Sequence, residues 1–187
     1  TGRISSIDEN GYPQIIPMNF VFINDIVYMH SHIKGEKLEN IKRNQKVGFE
    51  VDKSLEFLPS YFSDPTDASL ADTLYISVII KGNASIISDK EEKTIALNGL
   101  MKKYQPEGGY EPIKPDMDVL NEVEVIKIVP ESLRGKYKIG QHMDRKSRID
   151  LARQILERNS PTAKETLDIM GFEIIDNEPK LVDDKLW

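Results

Sequence analysis

The chain has 187 residues, of which 39% are apolar and 30% charged, with a formal net charge of -6 and no cysteine. This length suits one domain with a buried core, and the lack of cysteine excludes disulfides, thiolate metal sites and a cysteine nucleophile. The acidic charge argues against a broad nucleic-acid-binding surface, and no apolar run approaches the roughly 18 residues of a membrane span. We therefore expect a cytoplasmic protein without nucleic-acid or membrane partners.

The first part of the chain is predicted to form hairpins. The strand-like runs "RISSI" and "PQIIPMNFVFI" flank an Asn-Gly pair, which is a strong hairpin signal. A second turn at Asn24-Asp25 returns the chain as "IVYMHS". The run "EKLENIKRN" then predicts a short helix, and the alternating apolar residues of "KVGFEVD" predict another strand.

The middle of the chain combines strands with one amphipathic helix. Residues 53–72 show neither period and contain two prolines, which predicts a long loop. A long strand, "TLYISVIIKGNASIIS", follows, and the helix "SDKEEKTIALNGLMKKY" places its acidic residues first and its lysines last. The segment "EVEVIKIVPESLRGKYKI" predicts one or two further strands.

The composition changes near residue 141. Two helices are predicted there, "MDRKSRIDLARQILERN" and "SPTAKETLDIMG", the second with Ser160 as N-cap and Gly171 as stop. About six strands in hairpin order with few helices predict a mainly β fold with peripheral helices. We expect an antiparallel barrel over residues 1–140 and a C-terminal helical extension over residues 141–187.

A basic segment, residues 30–37 ("HSHIKGEK"), begins at the end of the strand "IVYMHS" in this acidic chain. Ser31 offers a hydroxyl, Gly35 lets the backbone come close to a ligand, and Lys34 and Lys37 supply positive charge where a helix begins. This combination favours an anion, most often a phosphate. The alternative is a solvated loop with unpaired lysines, which is common.

Metal and hydrolase sites are less well supported. His30 and His32 lie two residues apart, but His142 is distant and no carboxylate recurs at ligand spacing. No Gly-x-Ser-x-Gly motif occurs. We therefore expect no dedicated metal site and no Ser-His triad.

Three stretches taken together, "NGYPQIIPMNFVF", "IVYMHSHIKGEKLENIKRNQKVGFEVD" and "LYISVIIKGNASIISDKEEKTIALNGLMKKY", resemble a known superfamily. It is the pyridoxamine 5'-phosphate oxidase-like FMN-binding split-barrel superfamily, and the most similar branch is that of the nitroimidazole-resistance (Nim-type) flavoproteins. The resemblance covers roughly residues 2–138. It implies a six-stranded antiparallel split barrel and a homodimer with FMN at the subunit interface.

The resemblance also implies which residues contact the flavin ring. The strand "IIPMNF" would pass beside the isoalloxazine, so Pro17, Met18 and Asn19 are expected contacts, partly through their backbone groups. Ser77 occupies the place of a polar flavin-contacting residue, which is glutamine in the oxidases.

On the phosphate side, Lys37 matches the lysine that binds the FMN phosphate in this superfamily. His30 and Ser31 occupy positions that reach the phosphate and ribitol of the flavin. Glu36 stands where the oxidases have an arginine, so Lys34 is expected to supply the second positive charge.

These expectations together describe an FMN-dependent oxidoreductase. A donor such as NAD(P)H would supply electrons for the reduction of a small-molecule substrate, with nitro compounds as the class that the Nim-type branch implies. The C-terminal residues with which the oxidases bind substrate have no counterpart here, so the oxidase reaction itself is not expected. The alternative is a split-barrel binding protein for flavin or haem without turnover, with His30 or His32 as the haem-ligand candidates.

Overall fold

The computed structural model describes residues 1–182. They form nine strands and four helices. The bounds are β1 Gly2–Ile7, β2 Pro13–Met18, β3 Val21–Ile23, β4 Ile26–His32, α1 Glu36–Arg43, β5 Lys46–Leu58, β6 Asp72–Ile86, α2 Lys90–Tyr104, β7 Val123–Lys138, α3 Arg145–Arg158, α4 Ala163–Ile169, β8 Phe172–Ile175 and β9 Glu178–Leu181.

The chain divides into two compact units. Of the described residues, the first unit comprises 1–51 and 78–134, and the second comprises 52–77 and 135–182. Strands β5, β6 and β7 are 13, 15 and 16 residues long and contribute to both units. The two units are defined by how closely their residues pack. The predicted boundary at residue 140, between the barrel and the helical extension, stays a prediction.

Seven strands form one sheet in the order β2-β1-β5-β6-β7-β4-β3. The β1–β2 hairpin turns where it was predicted, because the Asp8 carboxylate accepts hydrogen bonds from the N–H groups of Asn10 and Tyr12, each at 2.8 Å. The β3–β4 hairpin turns on Asn24 and Asp25, whose φ values of 50° and 62° suit a tight two-residue turn. The mainly β, antiparallel character predicted from the sequence is confirmed.

The sheet has seven strands and not six, because the run predicted as one strand over residues 13–23 breaks at Asn19 and Phe20. Its two halves, β2 and β3, form the opposite edges of the sheet. Met18 and Val21 are three residues apart, which limits their separation to roughly 11 Å, whereas the edges of a flat seven-stranded sheet would lie about 29 Å apart. The sheet therefore curls within the first unit, which is consistent with a split-barrel-like fold, although the ladders among the described residues do not close the ring.

Two hydrophobic clusters fill the first unit. One lies between the curled strands and α1, and Phe49, Met29 and Leu38 are among its buried members. The other lies beneath α2 and includes Tyr28 and Leu100. Helix α2 begins as predicted, since Asp89 caps it by accepting hydrogen bonds from the N–H groups of Glu91 and Glu92.

The second unit has a core of its own, in which Leu55 and Leu74 of the long strands pack with residues of α3 and α4. Strand β5 reaches Leu58 and strand β6 begins at Asp72, so the predicted loop over residues 53–72 is wrong in its first six residues and its last. Within this stretch Glu56 is buried, and it accepts hydrogen bonds from Arg158, Ser160 and Thr162. Ser160 is thus bonded to Glu56, and the N-cap of α4 is Thr162 and not Ser160.

The end of the described chain forms a hairpin that the sequence did not specify. Strands β8 and β9 pair through a turn at Asp176 and Asn177, whose φ values are 54° and 61°. The last five residues of the predicted extension, 183–187, lie outside the described residues. Within the described part, no helix combines the length and apolarity needed to cross a bilayer.

Candidate functional site

The start of α1 presents free backbone donors beside a positive charge. The N-cap Gly35 has φ 152° and ψ 151°, a conformation almost restricted to glycine, and no side chain caps the helix. The first-turn N–H groups of Glu36 and Lys37 have no partner within residues 1–182. A Cβ added to Gly35 would lie 3.8 Å from the Lys37 Nζ atom, so this ammonium group lies close to the helix start.

Lys34 and Lys37 form no ion pair among the described residues, whereas Lys42, on the last turn of the same helix, pairs with Glu39 at 2.9 Å. Glu36 is exposed. The helix start therefore combines the Lys37 ammonium, the positive end of the helix dipole and free N–H groups, and Lys34 directly precedes Gly35 in the chain. These are the features that bind a phosphate.

Strand β4 divides the other predicted residues of the basic segment between its two faces. Val27, Met29 and Ser31 alternate on the buried face, where Ser31 is 5% exposed and its hydroxyl donates to the carbonyl of His32 at 2.9 Å. His30 is exposed on the opposite face. The structure therefore does not place His30 and Ser31 on a common face.

His32 has a local structural role. Its Nδ1 atom accepts a hydrogen bond from the N–H of Lys34 at 3.2 Å, which holds the turn between β4 and α1. No group of three His, Cys, Asp or Glu side chains that could hold a metal ion occurs in residues 1–182.

The predicted ring contacts lie at the end of β2, an edge strand of the sheet. Pro17 and Asn19 are exposed, and Met18 packs against the cluster that also contains Leu38 of α1 and Met29 of β4. The structure thus brings Met18 and the start of α1 to one core cluster. Ser77 is half-buried on β6 in the second unit, and its role stays a prediction.

Two residues that sequence reasoning missed contact the break between β2 and β3. The N–H of Phe20 donates to the Tyr104 hydroxyl at 3.1 Å, and the Lys103 ammonium donates to the Phe20 carbonyl at 2.8 Å. The Lys103 Nζ atom also lies 3.3 Å from the centroid of the Phe20 ring, and its burial lowers the pKa of Lys103. The sequence around either residue does not predict these contacts, because residues 20 and 104 are 84 positions apart.

A groove of about 420 Å³ adjoins the basic segment, a volume typical of small-molecule sites. Its lining combines Ile33, Leu38 and Ile41 with polar side chains that the sequence did not mark, namely Lys42, Gln45, Ser85 and Glu124. The second unit contains a separate cavity of about 360 Å³, which includes His142 and the ion pair between Lys138 and Asp72. The hydrogen bond from Lys138 holds the pKa of Asp72 below its usual value.

Comparison with solved structures gives matches that cover most of the chain. A candidate 5-nitroimidazole antibiotic resistance protein from Bacteroides thetaiotaomicron is 25% identical, with a TM-score of 0.60 over 72% of this chain and 74% of that one. A conserved hypothetical protein from Mycobacterium tuberculosis is 19% identical, with a TM-score of 0.58 over 77% of this chain and 81% of that one. A flavocytochrome from Azotobacter vinelandii is 18% identical, with a TM-score of 0.59 over 73% of this chain and 60% of that one.

Comparison with curated proteins gives no match. A sequence model of the family described as pyridoxamine 5'-phosphate oxidase matches residues 1–137. This match includes the first compact unit, the basic segment and the end of β2. The resemblance stated from the sequence is therefore confirmed, and the chain belongs to the pyridoxamine 5'-phosphate oxidase family.

Proposed function

We propose that this protein binds FMN and acts as an oxidoreductase on a small-molecule substrate. Membership of the pyridoxamine 5'-phosphate oxidase family supports a flavin as the cofactor. The similarity to a candidate nitroimidazole resistance protein, at 25% identity, makes nitro compounds the substrate class to test first. The flavin would supply the redox chemistry, and the protein would supply binding, orientation and electrostatics.

The start of α1 is the observation that carries this proposal. A phosphate dianion needs positive charge and N–H donors, and a chain of net charge -6 offers few places that combine them. Gly35, with a conformation nearly exclusive to glycine, leaves room above the helix start, and Lys37 lies beside it. The residues present therefore fit the phosphate of FMN.

The two lysines have different parts in this proposal. Lys37 would bind the phosphate directly, and exposed Lys34 would add the second charge. Ser31 would contribute less, because its hydroxyl proton is already engaged by the carbonyl of His32. His30 would reach the ligand only from the opposite face of β4.

On the ring side, the edge strand β2 leaves backbone groups outside any ladder, and these can donate to or accept from the ring's polar edge. Pro17, Met18 and Asn19 would line this edge, with Ser77 as a further contact. We also propose a homodimer with FMN at the subunit interface, as the family resemblance implies.

A titration of the apoprotein with FMN and with riboflavin tests the phosphate site. We expect Lys37→Ala to weaken FMN roughly ten- to a hundred-fold, since a charge-assisted hydrogen bond contributes about 1.5–3 kcal/mol. Riboflavin lacks the phosphate, so its affinity should barely change. The exposed Lys46, which forms no ion pair within residues 1–182, provides the control Lys46→Ala, which should bind both ligands as the wild type does.

Equal losses of FMN and riboflavin in Lys37→Ala would show damage to the ring site or the fold, and an unchanged FMN affinity would leave residues 30–37 as a solvated basic loop. A visible spectrum of the purified protein separates a flavin from a haem, which would give a Soret band. Steady-state oxidation of NAD(P)H with nitro acceptors then separates an enzyme from a flavin-binding protein without turnover.

A further inference from the structure

At the break between β2 and β3, the backbone N–H and C=O groups of Phe20 belong to no strand. Asn19 and Phe20 lie outside the strand ladders, at the point where the chain leaves one edge of the sheet and joins the other. Backbone N–H and C=O groups that leave a ladder form hydrogen bonds with water or with side chains instead.

The last turn of α2 supplies both partners. The Tyr104 hydroxyl accepts from the Phe20 N–H, and the Lys103 ammonium donates to the Phe20 C=O. The Phe20 ring is held as well, because the Lys103 ammonium lies over it and the Phe49 ring meets it edge-on at 5.1 Å. Four contacts therefore fix a residue that has no ladder of its own.

Lysines in the last turn of a helix commonly interact with the terminal carbonyls of that helix. Lys103 instead donates to a carbonyl 83 positions earlier in the chain, and burial there lowers its pKa. The ammonium group is thus partly desolvated where it binds the Phe20 carbonyl, next to Asn19. Lys102, its neighbour, forms no such contact within residues 1–182.

We infer that Lys103 and Tyr104 are positioning residues for the flavin ring: by holding the backbone of Phe20, they set the path of residues 17–19. This inference rests on the proposed function, in which Pro17, Met18 and Asn19 line the ring edge partly through backbone groups. Lys103 and Tyr104 act through Phe20, so their effect falls on the ring side of the cofactor and not on its phosphate.

Variants at the phosphate end and at the ring end of the site should therefore differ in their effect on riboflavin. A variant at the phosphate end loses affinity for FMN and keeps its affinity for riboflavin. A variant at Lys103 or Tyr104 should lose affinity for FMN and riboflavin by the same factor, because the two ligands share the isoalloxazine ring.

The experiment measures both affinities in Tyr104→Phe, which removes only the hydroxyl, and in Lys103→Met, with Lys102→Met as the matched control. We expect FMN and riboflavin each to weaken roughly two- to ten-fold in the two variants, and to be unchanged in the control. Lys103→Arg keeps a cationic donor and should recover most of the loss. At saturating FMN, the visible circular dichroism of Tyr104→Phe and Lys103→Met should also differ from that of the wild type, since the ring environment has changed.

Wild-type affinities and a wild-type visible spectrum in Tyr104→Phe and Lys103→Met would overturn the inference while leaving the proposed function intact. Losses confined to FMN would overturn it too, because they would place Lys103 and Tyr104 at the phosphate. Altered thermal unfolding of the apoprotein with an unchanged saturated spectrum would reduce both residues to a stabilising role. A wild-type protein that binds neither flavin would reject the proposed function, and the inference with it.

Discussion

The Tyr28 phenol connects β4 to α2 through one half-buried carboxylate, that of Glu92. Its hydroxyl donates to the Glu92 Oε1 atom at 3.0 Å, and the Lys127 ammonium donates to both oxygens of Glu92 at 3.1 and 3.2 Å. Burial of Tyr28, followed by its hydrogen bond to Glu92, raises the pKa of the phenol to about 12. The folded protein therefore favours the neutral phenol at this position.

This pKa predicts how stability depends on pH above 10. Below pH 10 the phenol is neutral in both the folded and the unfolded chain, so its stabilising contribution is fully present. Between pH 10 and about 12 the unfolded chain loses its proton first, and the free energy of unfolding falls by roughly 2–3 kcal/mol for this group. Denaturant unfolding from pH 9 to 12 should show this loss in the wild type.

The variant Tyr28→Phe isolates the effect of the phenol from the lysines and tyrosines that titrate in the same range. Its unfolding free energy should be lower than that of the wild type at pH 9, and the difference between the two proteins should shrink as the pH rises. Parallel curves over the whole range would contradict a raised pKa for Tyr28.

At the scale of elements, helices α3 and α4 pack over the core of the second unit. Leu55 and Leu74 are 2% and 3% exposed, and both belong to one cluster with Leu151, Ile155 and Leu167 of these helices. A chain ending at Gln141 would expose both leucines, and each buried leucine contributes about 1.5–3 kcal/mol. It would also leave Glu56 without its three donors.

We therefore expect the chain ending at Gln141 to lose order in the second unit's strand segments, residues 52–58 and 72–77. Amide hydrogen exchange in these segments should become fast, and the shorter chain should bind a hydrophobic dye that the full chain does not bind. If residues 52–58 are protected from exchange in the shorter chain as well as in the full chain, the helices are an appendage to a strand pair that is stable by itself.

Sequence reasoning predicted the elements whose signals are local. The hairpin turn after Asp8 and the capped start of α2 each depend on residues within a few positions of one another. The basic segment was found in the same way, because Lys34, Gly35 and Lys37 are nearly contiguous and the helix follows at once.

The elements that were missed depend on distant partners. Strand β5 continues past residue 53 because the buried Glu56 finds its donors more than 100 residues later. The strand break at Phe20 is stabilised by residues of α2, 83 and 84 positions away. Neither contact produces a pattern among neighbouring residues of the sequence. The ring contacts predicted for Pro17–Asn19 and Ser77 come from the family resemblance and not from spacing.

At the scale of the whole molecule, several apolar side chains of the first unit's sheet lack a cover. Val78 and Ile79 of β6 are 37% and 49% exposed, although β6 is an interior strand, and Val129 and Leu133 of the neighbouring β7 are 46% and 55% exposed. Water-facing side chains of an antiparallel sheet are normally polar, so exposed apolar side chains on interior strands are candidates for an interface. The proposed homodimer would cover these side chains.

We expect the protein to be a dimer of about 43 kDa, twice the chain mass of 21.3 kDa, when light scattering is measured at micromolar concentration. An isologous interface that holds a shared ligand should bury well above roughly 1,000 Å².

Ile79→Lys would place a charge in that interface, so it should both shift the protein toward the monomer and weaken FMN binding. Ile95→Lys, at an isoleucine of α2 that is 56% exposed, provides the matched control and should remain a dimer. If the wild type is monomeric and still binds one FMN per chain, the ligand site is complete within one subunit and the exposed apolar side chains of β6 and β7 serve another contact. Loss of FMN in Ile79→Lys without a change of mass would place this residue at the ligand and not at the interface.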